Sequence, residues 1–332
     1  MNRMIRLSPI YILAIAIFGC HSAPEATALQ PQLTVGIQNS PSNSLVIIAA
    51  KKRFFDSTRV KISIKEFSAG KLALQALLGQ AGDLDVAVCA ETPIVLSSLA
   101  GNEVKIFAEI VNAKNECRVV ARKDGDADTP EKYFSRKRKL TTSQGGSPEW
   151  LTYNFIRRYR LDKSKIDIIA MLPENMPLAL SNNAVDAISI FDPFARIGEK
   201  ELGDKGITFY NEDITSYYVL AAKAGILNQK SGALEELVKG LIKAREFIAT
   251  SPAEAQQIVA DQTKLDIGII RETWGNYTFA IRLDRPLVEL CTAESKWAIE
   301  TAKYPNNTKI PDFNDVLYPD ILKKIAPGSI GL

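Results

Sequence analysis

The chain has 332 residues, 46% of them hydrophobic and 24% charged, with a net charge of +3. That length allows two domains of ordinary size, and the composition is that of a soluble globular protein. The weak charge argues against a nucleic-acid groove, and the single histidine, His21, excludes imidazole chemistry from the folded part.

The N-terminus reads as a leader over residues 1–19. Arg3 and Arg6 precede the apolar run "LSPIYILAIAIF", which is too short for a comfortable membrane span. It ends in Gly19-Cys20, which resembles a bacterial lipobox, where the cysteine is lipidated and becomes the mature N-terminus. An ordinary secretory signal cleaved nearby is the alternative. Either way the protein leaves the cytoplasm. Residues 20–32 are small, polar and Pro-containing, a flexible tether. Cys89, Cys117 and Cys291 remain; they allow at most one disulfide, match no metal site and sit in apolar surroundings suited to buried thiols.

Strands and helices then alternate. Strands are predicted at 33–37, 60–67, 83–89, 103–111 and 116–122, and helices at 44–55, 70–80 and 93–101. A polar, charged segment follows, with Arg136, Lys137, Arg138 and Lys139 as a solvated entry to the next strand. A second set places strands at 139–143, 165–171, 185–191 and 206–211, with helices at 148–159, 173–182 and 193–202. The run 216–223 reads as a strand returning to the first set. The rest reads as largely helical, and the Pro-, Asn- and Gly-rich tail as a surface wrap. The expected architecture is α/β, with mostly parallel sheets flanked by helices. Residues 33–122 plus 217–332 would form one lobe and 123–216 an inserted second lobe, joined by two strand crossings.

Four junctions recur after predicted strands: Ser40-Pro41, Thr92-Pro93, Ser147-Pro148 and Asp192-Pro193. Such a pair starts a helix well. The oxygen-bearing side chain caps a free N–H, and proline loses none. The remaining N–H groups face whatever lies beyond the strand tips, where open sheets bind ligands. For any single junction, helix capping alone explains the residues; two in each lobe suggest a site. Gly145-Gly146-Ser147 offers unobstructed N–H groups to an anionic or carbonyl oxygen. Glu91 and Asp192 would favour an amine, so a zwitterion or an amine-bearing heterocycle is expected. Phe191, Trp150, Tyr217 and Tyr218 are aromatics near the junctions; Trp150 suits the core, and only one of Tyr217 and Tyr218 can face a cleft.

The segments "LTVGIQNSPSNSLVIIAAKKRFFD", "GDLDVAVCAETP", "TTSQGGSP" and "VDAISIFDPFA" resemble solute-binding proteins of ABC importers. The group in question binds nitrate, aliphatic sulfonates, taurine and thiamine-pyrimidine precursors. The resemblance implies a two-lobed periplasmic-binding-protein type II fold with a two-strand hinge. It carries ligand-binding roles onto Gln38, Asn39, Ser40, Glu91, Thr92, Gly145, Gly146, Ser147, Phe191 and Asp192. It implies a small-molecule ligand, an ABC permease as partner, a monomeric lipoprotein on the extracytoplasmic side of the membrane, and no cofactor or metal. Two other functions fit the same scaffold: an enzyme using Glu91 and Asp192 as acid and base, and a ligand-sensing adaptor.

Overall fold

Strands and helices alternate through the first two thirds of the chain, and the strands sort into two sheets. They are β1 Gln32–Gln38, β2 Lys61–Phe67, β3 Val86–Ala90, β4 Lys105–Lys114, β5 Arg118–Arg122, β6 Arg138–Thr142, β7 Ile166–Ala170, β8 Ala187–Ile190, β9 Gly206–Phe209, β10 Thr215–Ala222, β11 Tyr277–Asp284 and β12 Ile330–Gly331. The computed structural model describes residues 31–56, 60–79, 84–211 and 215–332. The leader, Cys20 and the tether as far as residue 30 lie outside the described residues.

The first sheet has the order β12-β11-β4-β10-β3-β1-β2, and the second β7-β6-β8-β5-β9. Each contains a parallel trio, β2–β1–β3 and β7–β6–β8. Parallel neighbours need a crossover, and helices supply it: Ser44–Lys51 and Gly70–Leu78 in the first trio, Ser147–Arg158 and Met176–Ser181 in the second. Outside the trios β10 is antiparallel to β3 and β4, β11 to β4, and β5 to β8 and β9. The sheets are therefore mixed, not mostly parallel. β5 and β10, by which the chain enters each sheet from the other lobe, run against its trio, and so does β11.

Three expectations change. The run 116–122, assigned to the first lobe, contains β5, which pairs with β8 and β9 in the second sheet. The outward crossing is thus at 115–117, and the return lies between β9 and β10. Residues 277–284, read as helical territory, form β11 against β4. The C-terminal tail is part of the core: Phe313, Ile321 and Leu322 are buried, and β12 pairs with β11.

One apolar core packs the first sheet and its helices. The second sheet is covered on both faces, by Tyr133, Phe134, Phe155 and Phe209 on one side and Met176, Leu180 and Ala195 on the other. Cys89, Cys117 and Cys291 are free and buried.

Candidate functional site

Four strand ends converge on one cavity. Gln38 ends β1 and Ala90 ends β3; Ser143 follows β6 and Phe191 follows β8. The cavity is also lined by Ala69, Gly70, Lys71, Pro93 and Tyr218 from the first lobe and Gly146, Ser147 and Pro148 from the second. Its volume is ≈ 40 Å³, room for about three waters. The lobes are closed on each other here.

Three helices begin at this cavity: Gly70–Leu78, Glu91–Leu99 and Ser147–Arg158. The first N–H groups of a helix lack intrahelical partners, and its dipole is positive at that end. The residues preceding these helices, Ala69, Ala90 and Gly146, place no side-chain oxygen on them. No preceding residue caps these helices, although the Glu91 carboxylate takes its own backbone N–H at the second of them. Lys71 adds a full positive charge. Its ammonium reaches across the gap, donating to the Gln144 carbonyl at 2.7 Å and lying 3.5 Å from Ser143 Oγ. Burial lowers the Lys71 pKa, and the Glu149 carboxylate opposes that shift.

The oxygen-bearing residues of the four proline junctions do not cap as expected. Ser40 Oγ pairs with Ser42 Oγ at 2.7 Å. Thr92 lies inside its helix; its hydroxyl donates to Glu294 Oε1 at 2.6 Å and sits 3.3 Å from Ser147 Oγ. Ser147 is the first residue of its own helix. The helix after Asp192 starts at Phe194 with no side-chain cap, and the Asp192-Pro193 peptide is cis. The Asp192 carboxylate is buried, ion-paired with Arg118 Nη2 at 2.9 Å and accepting from Asn276 Nδ2 at 3.3 Å. A buried guanidinium needs its counter-charge more than a helix needs a cap.

Gln38, Gly146, Ser147 and Phe191 of the ten candidates therefore line the cavity. Asn39, Ser40, Glu91, Thr92, Gly145 and Asp192 do not. Asn39 turns to the Gln262 carbonyl, and the Gly145 N–H is taken by Glu149 Oε2. Glu91 is buried, accepts from the Tyr217 N–H at 2.6 Å and is hydrogen-bonded to Glu294. Burial raises the pKa of both carboxyls in this pair. Neither carboxylate expected to favour an amine faces the cavity.

The residues that sequence reasoning missed include Ala69, Gly70, Lys71, Ala90 and Ser143. Their signal was present: Ser68-Ala69-Gly70-Lys71 follows a strand and opens a helix. It lacks the proline that marked the other junctions. Of the two adjacent tyrosines, Tyr218 lines the cavity and donates from its hydroxyl to Glu116 Oε1 at 2.7 Å. Trp150 is core, 5.4 Å from Trp297 between ring centroids.

The sequence profile of the NMT1-like family matches residues 26–262, more than two thirds of the chain. The chain belongs to the NMT1-like family. No curated protein matches it significantly. The NMT1-like chain is similar in structure to the periplasmic aliphatic sulphonate binding protein SsuA from Escherichia coli, with TM-score 0.73 and 16% identity, covering 89% of this chain and 98% of that one. It is also similar to the alkanesulfonate-binding protein SsuA from Xanthomonas axonopodis pv. citri bound to MOPS (TM-score 0.74, 16% identity, 87% and 98% covered). A third is the periplasmic nitrate-binding protein NrtA from Synechocystis PCC 6803 (TM-score 0.69, 16% identity, 90% and 88% covered). These likenesses establish the two-lobed periplasmic-binding-protein fold for this NMT1-like chain. Among its described residues no helix is long and apolar enough to cross a membrane, and no group of three or more His, Cys, Asp or Glu side chains could hold a metal ion.

Proposed function

We propose that this protein is an extracytoplasmic receptor that closes on a small anionic solute and hands it to the permease of an ABC importer. The observation that carries the reading is the meeting of three helix N-termini and the Lys71 ammonium at one interlobe cavity. Gly70 and Gly146 keep side chains away from those N–H groups, which suits an oxyanion such as nitrate or the head of a short sulfonate. NMT1-like membership supports the receptor role, as does a fold shared with proteins named for sulphonate and nitrate binding. The amine-bearing or zwitterionic ligand expected from the sequence loses its basis, because Glu91 and Asp192 are engaged elsewhere.

The leader and Cys20 support a protein held on the extracytoplasmic face by a lipid. The tether would raise its local concentration near the permease. An enzymatic role finds less support. Glu91 and Glu294 do not line the cavity; Thr92, which donates to Glu294, lies 3.3 Å from Ser147 Oγ in its wall.

Calorimetry on the purified protein with nitrate, methanesulfonate and ethylammonium tests the proposal. An oxyanion should bind, and Lys71→Met should weaken it at least about tenfold, the worth of one lost charge-assisted hydrogen bond. Binding of ethylammonium alone would refute it.

A further inference from the structure

A second cavity runs along the helix Ser147–Arg158, against Glu149, Thr152, Tyr153 and Ile156. Its volume is ≈ 220 Å³, somewhat more than the roughly 150 Å³ that accommodates a benzene ring. Both lobes build it. Tyr153 and Trp297 supply aromatic walls, their ring centroids 6.2 Å apart. Ile156 and Ile166 are buried and make an aliphatic floor, and Ile168 stands at the mouth, 45% exposed.

Two ammonium groups face this cavity. Lys163 places its ammonium 5.2 Å from the Tyr153 ring centroid, and Lys303 places its own 5.5 Å from that of Trp297. The one carboxylate in the wall is Glu149, which is consumed: Oε1 pairs with Lys303 at 2.5 Å and Oε2 accepts the Gly145 N–H. Glu300 is held on the Tyr153 hydroxyl at 3.3 Å. With Lys303 matched by Glu149 and Glu300 held on Tyr153, Lys163 is the ammonium beside this aromatic and aliphatic chamber that has no carboxylate partner among the described residues. The hydroxyls of Thr142 and Thr152, also in the wall, are bonded within the protein.

We propose that this cavity, also built between the lobes but sharing no lining residue with the first, is a second ligand site for a single-ring aromatic anion. The ring lies against Tyr153 and Trp297, and the carboxylate or sulfonate meets Lys163. Apolar surface gives the ring its affinity, and the unpaired ammonium selects the sign of the head group.

Fluorine NMR titration of the purified protein with 4-fluorobenzoate is the direct test. The expected result is saturable binding with a ring-current shift of the fluorine. Affinity should fall at least fivefold in both Lys163→Glu and Ile168→Trp, which alter exposed positions at the mouth. It should be unchanged in Lys71→Met, and 4-fluorobenzylammonium should bind at least fivefold more weakly. Three results would each overturn the proposal: no saturable binding up to millimolar probe, loss of binding in Lys71→Met with retention in the two mouth variants, or equal binding of the ammonium compound.

Discussion

Asp192 and Glu116 show how the two lobe crossings are held at single residues. Arg118 is buried and meets Asp192 at 2.9 Å, while Glu199 takes its Nε at 2.6 Å. Burial pushes the Asp192 pKa up, and Arg118 opposes it. Asp192→Ala should therefore act on folding, leaving Arg118 with half of its compensation. A loss of about 3 kcal/mol is expected in urea unfolding, well above the roughly 1 kcal/mol of a lost helix cap. A loss under about 1 kcal/mol would contradict the ion-pair role. Glu116 lies beside it, accepting from Tyr218. Burial raises its pKa to about 8 from 4.5, reinforced by Asp192 and Glu91. The folded state then keeps a proton that the unfolded state has lost, so stability falls as pH rises from 4.5 to 8. Glu116→Gln cannot lose that proton. Its stability should match the parent near pH 5 and exceed it at pH 8 by about 2 kcal/mol or more. Parallel unfolding curves at pH 5 and 8 for both proteins would exclude the effect.

At the scale of elements, the parallel trios were legible because their signals are local. "LTVGI", "VKISIKEF" and "VAVC" are strand-like in side-chain type, and the helices between them carry apolar faces. β5 was legible as a strand but not as a member of the second sheet. Pairing partners 66 to 90 residues away, in β8 and β9, decide that, and no feature of "RVVAR" reports them. β11 is a different miss. Tyr277, Phe279, Ile281 and Leu283 alternate as a strand should, but its main partner β4 precedes it by more than 160 residues, and helices surround it. The site was legible where function rests on the backbone. Gly146 and Ser147 were found as a glycine-rich helix start. Glu91 and Asp192 were misread because their roles depend on Tyr217, Glu294 and Arg118, whose proximity only the tertiary fold creates.

At the scale of the whole molecule, the question is what holds the lobes shut. The chain passes between them twice, at 115–117 and between β9 and β10. Across the gap run the Lys71–Gln144 bond, the Thr92–Ser147 contact, the Arg196–Glu272 and Lys303–Glu149 pairs, and the packing of Trp150 on Trp297. The two ion pairs are partly exposed, and such pairs contribute only about 0–1 kcal/mol each. A solute that bonds to both lobes adds to these ties and shifts the population toward the closed form. Small-angle scattering should then show the radius of gyration falling when a bound oxyanion, nitrate or methanesulfonate, is added to saturation. Lys71→Met should blunt the change at the same concentration, because Lys71 both attracts the anion and ties Gln144 across the gap. A radius that does not move on binding would mean that the protein's own contacts hold the lobes, with the solute entering an already closed form.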